Sequence, residues 1–260
     1  MPLSPDVLKD SRLKVDWARK KIDEFNEVAR VFFDKQPYVE SRELDAQTQQ
    51  ISIKTRLREP LPIDLLRLTI ECIQHLASAL DQMVYTLALR NGVKLESGGF
   101  PFIKNGGAAE LNTRLQNGPE RAVGPQAIAI FRAAQPYQAG NPVLWSLYRL
   151  NNIDKHRHMI PVALGHLYYT IDNLTLAQVH AGQRVEIGRN IDGQTLETGI
   201  EIMRYPAGMN PEPKPEYTIS PSVTFSNVLT EVNGKTINNV LVAFNNEVVR
   251  IIEAIEASCS

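Results

Sequence analysis

Cysteine is scarce: 260 residues contain two, Cys72 and Cys259. Two thiols cannot build a disulfide framework. Cys72 sits in an apolar helical run and Cys259 is next to last, so the pattern predicts unpaired thiols and a reducing, cytoplasmic setting. Long apolar runs are missing as well. No stretch approaches the ~18 residues of a membrane-spanning helix, and the opening MPLSPDVLKDSRLKVDW has no apolar signal core. The expectation is a soluble protein with no membrane partner. An excess of either charge is also missing, since 28 Lys and Arg stand against 29 Asp and Glu. A net charge of −1 gives no overall pull toward nucleic acid or anionic lipid, so any such binding must rest on a local patch. No nucleophile elbow, phosphate-binding loop, dinucleotide glycine pattern, zinc-ligand spacing or carboxylate pairing appears. The stretch GGFPFIKNGG has glycines but no Lys-Ser/Thr ahead of a helix. No cofactor is expected.

What is present reads as a globular chain: 43% hydrophobic and 22% charged residues exclude disorder. Ser4 as cap, Pro5 in the first turn and Asp6 at the positive end of the dipole open a predicted helix. Leu8, Val15, Ile22, Phe25, Ala29 and Phe32 carry it to Pro37. From Gln49 to Arg58 the pattern alternates, with Ile51, Ile53, Thr55 and Leu57 on one face and Ser52, Lys54, Arg56 and Arg58 on the other. That predicts a half-buried strand whose basic stripe is a solvated face. A second long helix runs from Pro62 to a C-cap at Asn91-Gly92. Short helical pieces follow at 108–116 and 125–133. Asn141 then caps a helix with Pro142 at its first position, bounded by Pro161. The region 162–232 is rich in short β-like runs, and 238–257 is helical again. The predicted class is α+β: a single domain over 1–260, with a bundle of about four long helices as core (4–160 and 238–257). A small antiparallel β-rich section (162–232) is inserted in it.

The chemistry concentrates in YRLNNIDKHRHM, from Tyr148 to Met159. On a helix, Arg149, Asn152 and His156 share one face and Asn151, Asp154 and His158 a neighbouring one, with Lys155 within reach of Asn151. Three readings are weighed, and two of them stay open. His156 as general acid or base and Arg149 against a phosphorane-like transition state would cleave RNA without metal, with Asn152 orienting phosphate. Asp154, His156 and His158 would be the metal set, but His-x-His separates the rings by about 200° on a helix, so no metal site is expected. In the third reading Asp154 pairs with Arg157 or His158 and the basic groups answer the C-terminal dipole, a structural cluster. On the second helix His75 borders the apolar band, and it either packs in the core or faces this cluster. Asp81 is turned away from it by about 120°.

The blocks QHLASALDQMVYTLA (Gln74–Ala88), FPF (Phe100–Phe102), QPY (Gln135–Tyr137) and PVLWSLYRLNNIDKHRHMIPV (Pro142–Val162) carry a resemblance. The chain resembles a group of uncharacterised bacterial proteins whose helix reads HNLRSALDH, followed by FPI, QPY and LxxLxxxDKHR. Residues that match are His75, Leu76, Ser78, Ala79, Leu80, Asp81, Asp154, Lys155, His156 and Arg157, whereas Ala77 stands in place of Arg and Gln82 in place of His. More distantly, Arg149 and His156 spaced as Arg-x6-His are similar to HEPN-domain ribonucleases, helical bundles whose Arg/His helices meet across a homodimer. That resemblance implies RNA as partner and Lys155 with Asn152 as backbone-positioning groups.

Overall fold

A computed structural model describes residues 7–156, 162–165, 186–187, 199–208, 222–226 and 228–258; for 154–156, 162–165, 186, 187 and 202 it describes the backbone alone. These residues form six α-helices and six strands, an α+β chain with a helical core. The chain divides into two compact units. One comprises Met1–Val28, Ile63–Pro161 and Phe225–Ser260, the other Ala29–Pro62 and Val162–Thr224. Residues 29–62, read in the sequence as part of the helical core, thus group with the sheet.

The helical unit contains α1 (Lys9–Asp34) as far as Val28, α2 (Ile63–Arg90), α3 (Ala108–Asn117), α4 (Pro125–Ala134), α5 (Pro142–His156) and α6 (Ile237–Ser258), with a 3-10 turn at Pro119–Val123. The predicted start at Ser4, Pro5 and Asp6 lies outside the described residues. Along α1, Leu8, Ser11, Val15, Ala18, Ile22 and Phe25 are buried at alternating spacings of three and four, the mark of one helical stripe. Lys14 Nζ donates to Ser78 Oγ at 2.8 Å and Lys21 pairs with Glu71 at 3.2 Å, so α1 and α2 run antiparallel. Arg12 ties the same helix to Glu256 of α6.

α2 is the centre. It packs against α5, α6 and the 3-10 turn. Leu68, Ile73, Leu76, Leu80 and Met83 are each at most 1% exposed, and each contributes roughly 1.5–3 kcal/mol on burial. Ala79 and Ala88 lie about 180° apart round the helix and both are fully buried, so α2 is covered on more than one side. The helix ends as expected at Asn91-Gly92. Gly92 has φ +79°, its N–H donates to Leu89 O (3.0 Å), and Val93 N–H donates to Ala88 O (2.9 Å). This is a Schellman closure, which needs the left-handed residue that glycine supplies. No helix among the described residues is long and apolar enough to cross a membrane.

The other unit holds an antiparallel sheet in the order β1-β2-β5-β4, from β1 (Tyr38–Asp45), β2 (Gln50–Leu57), β4 (Glu186–Ile187) and β5 (Ile200–Pro206). β3 (Val162–Gly165) and β6 (Ser222–Phe225) pair as a second, two-stranded sheet. β2 falls where alternation predicts it. β1, its hairpin partner, is not among the predicted elements. The connecting turn is held by Asp45 Oδ1, which accepts from Gln47 N (2.9 Å) and Thr48 N (3.3 Å). One face of the sheet packs Ile51 and Ile53 with Met203 and Tyr205. The opposite face corrects the sequence reading of β2. Ser52 is buried rather than solvated, and its hydroxyl donates to Glu201 Oε2 at 2.6 Å. Burial alone would raise the Glu201 carboxyl. Hydrogen bonds from Arg204 and Ser52 outweigh it and hold the group below the usual carboxylate range.

Candidate functional site

The loop that follows α2 organises the site. Asp81 Oδ1 accepts the Phe100 N–H at 2.9 Å. A Cβ on Gly99 would collide with that same carboxylate, so the close approach requires glycine. Ile103 N–H donates to Pro136 O (2.9 Å), and Arg114 Nη1 donates to Phe102 O (2.9 Å). The Phe100 ring meets Phe102 and Phe131 edge-on at 4.8 and 5.1 Å. The FPF and QPY blocks are therefore one structure. Gln135 takes a left-handed turn (φ +49°) at the end of α4, and Tyr137 O accepts the N–H groups of Gly140 and Asn141.

That turn aims α5. Asn141 Oδ1 accepts Leu144 N–H at 3.1 Å as a helix cap, while its amide donates to Ala134 O (3.2 Å) and Glu247 Oε1 (2.7 Å). Bonds from Arg250 and Asn141 hold the Glu247 carboxyl below its ordinary range against the opposing effect of burial. Further along α5, Trp145 Nε1 donates to Lys104 O (3.2 Å) and Tyr148 stacks on Phe102 at 5.1 Å. Two aromatic side chains thus fasten α5 to the FPF loop.

Arg149 sits on this anchored helix with its guanidinium carbon 5.1 Å from the centre of the Trp145 ring. At that distance the ring attracts the guanidinium by cation–π interaction. Among the described residues Arg149 has no carboxylate partner. Asn152 lies one turn on, as i, i+3 geometry requires, but its amide donates to Tyr148 O at 2.7 Å. The neighbouring Asn151 is 7% exposed, and its Oδ1 has no partner among the described residues. Asp154, Lys155 and His156 complete α5, with side chains outside the described set; Arg157 and His158 lie outside the described residues.

The two candidates on α2 go elsewhere. Asp81 is the clasp of the FPF loop. His75 is half-buried and turned to α1, with its ring 5.5 Å from Trp17. Burial and the charge of Lys14 depress its affinity for a proton; Glu71 works against them, and Lys21 adds a little in the same direction. Among the described residues no three His, Cys, Asp or Glu side chains gather in a metal-binding group. The sequence reading missed Trp145. Its spacing of four from Arg149, on a helix, was the available signal. Comparison with known proteins gave no match to a family model, a curated protein or a solved structure.

Asp81→Ala is expected to lower stability by about 1–3 kcal/mol, because it leaves the Phe100 N–H without its acceptor. Urea unfolding measures this. An unchanged midpoint would remove Asp81 from the account of the loop.

Proposed function

We propose that the helical unit is a non-catalytic interaction or ligand-binding module, in which the DKHR segment Asp154–Arg157 serves the structure and Arg149 is the group offered to an anionic partner. The observation that carries this reading is α5 itself: Arg149 lies over Trp145, and one Asn152 amide N–H is bonded to Tyr148 O of its own helix. A phosphate could be met only by the second Asn152 N–H. The setting is read as cytoplasmic. A free, buried Cys72, whose thiol burial pushes up to about 12, is consistent with a reducing compartment.

The alternative is a HEPN-like, metal-independent endoribonuclease acting as a homodimer on RNA, with Arg149 against the phosphate charge, His156 as acid or base, and Asn152 with Lys155 positioning the backbone. What favours it is the absence of a carboxylate from Arg149 among the described residues. One experiment separates the two: wild type and His156→Ala are incubated with RNA in EDTA while their melting temperatures are recorded. The binding module predicts no cleavage by either protein and melting several degrees lower in the variant. Cleavage that vanishes in a variant of unchanged melting temperature overturns it in favour of the nuclease.

A further inference from the structure

Asparagine followed by glycine is a chemically weak link, because glycine puts no side chain in the way of a reaction between the two. The chain has four such pairs: Asn91-Gly92, Asn105-Gly106, Asn117-Gly118 and Asn233-Gly234. All four asparagines are exposed, so exposure does not distinguish them. The reaction uses the backbone nitrogen of the glycine. Hydrogen bonding at that nitrogen does distinguish the four.

Three of the glycine N–H groups are bonded. Gly92 N–H donates to Leu89 O (3.0 Å) in the closure of α2, Gly118 N–H to Arg114 O (2.7 Å) at the end of α3, and Gly234 N–H to Phe225 O (2.9 Å). The Asn91 amide is itself tied to Ala122 O at 2.8 Å, and Asn233 keeps a contact of its own. The pair at 105 differs. Neither Gly106 N–H nor the Asn105 side chain makes a hydrogen bond among the described residues. Glu110 Oε2 accepts the next N–H along the chain, that of Gly107, at 2.7 Å. The fold also requires glycine at 106: its φ is +117°, and a Cβ there would lie 2.6 Å from Glu110 Cδ.

We propose that Asn105 is a self-modifying site, which converts to aspartate and isoaspartate in the folded protein well ahead of the other three pairs. The Gly106 nitrogen gives up its proton to solvent and attacks Asn105 Cγ. A bond from that nitrogen to Cγ forms, the Cγ–Nδ2 bond breaks, and the amide nitrogen takes up a proton and leaves as ammonia. One water molecule then opens the five-membered imide. Attack of water at Cγ leaves aspartate; attack at the main-chain carbonyl carbon of residue 105 leaves isoaspartate, with the chain routed through the side chain. At the other three pairs the glycine bond must open first, and only the open fraction reacts. Either product sets a carboxylate beside Lys104, whose carbonyl accepts Trp145 Nε1 of α5 at 3.2 Å. The reaction rests on this loop alone and does not depend on how the Arg149 site is read.

The test is ageing of the full chain in heavy-oxygen water at mildly alkaline pH, followed by peptide mapping with mass spectrometry. Each imide opened during the incubation takes one heavy oxygen from solvent, which marks the conversion as having happened there. Asn105 is expected to convert roughly tenfold faster than each of the others, about the factor supplied by one hydrogen bond that must break first. In guanidinium chloride that lead should vanish, with all four pairs converting at similar rates. Asn105→Gln should remove most of the ammonia released by the folded chain and leave its melting temperature unchanged. An Asn105 that converts no faster than the other three in the folded chain overturns the proposal. So does a lead that persists in guanidinium chloride, or ammonia release that Asn105→Gln leaves as it was.

Discussion

Replacing Arg114 with alanine should cost about 3 kcal/mol, more than any surface ion pair in this chain. Its partner Glu120 is fully buried, and Glu120 Oε1 accepts both Arg114 Nε (3.0 Å) and Arg114 Nη2. The third guanidinium bond goes to the Phe102 carbonyl. Truncation strands a carboxylate in the interior and removes a donor from the FPF loop in one step. Breaking a buried pair from one side costs roughly 3–5 kcal/mol. The lower end applies here, because the Arg114 side chain is 35% exposed and partly screened. Urea unfolding followed by circular dichroism gives the number. The combined change Arg114→Met with Glu120→Gln should cost less than Arg114→Ala alone, since no charge is left unpaired. The reverse order would mean that the guanidinium acts through Phe102 and not through Glu120.

Trp145→Ala should cost a similar amount, about 3–5 kcal/mol, as for other buried tryptophans cut to alanine. The ring is 6% exposed, it supplies the bond to Lys104 O, and it is the seat of Arg149. Trp145→Phe separates these contributions. It keeps an aromatic face beneath Arg149 and loses the indole N–H, so the expected cost falls to roughly 1–3 kcal/mol with most of the lost stability due to the unmet carbonyl and the smaller ring. If Trp145→Phe is as damaging as Trp145→Ala, the indole bond alone fastens α5, and the cation–π contact is incidental.

The long helices were legible because their physics is local. Caps at Asn141 and Gly92, and apolar residues at helical spacing in α1, α2 and α6, are written in consecutive residues. β1 was not, for an equally physical reason. In YVESRELD the residues facing the sheet's apolar side include Glu40 and Arg42, so alternation of apolar and polar residues is lost on an edge strand that buries little. Ser52 was misread because its burial depends on Glu201, 149 positions away in sequence. At the candidate site, helical geometry correctly put Arg149 and Asn152 on one face. What it did not supply was the use of each group: Asn152 bonded back within its own helix to Tyr148, Asp81 committed to Phe100, and His75 turned to Trp17.

The central place of α2 also bears on how this chain is made. Its flank beneath α6 stays bare until α6 emerges from the ribosome. That is roughly 150 residues later, or about 7–30 s at about 5–20 residues per second. Until then the side of α2 that packs against α6 lacks that cover. The nascent protein therefore passes through a dated period of stickiness, and a chaperone that shortens it has one defined target, the uncovered side of α2.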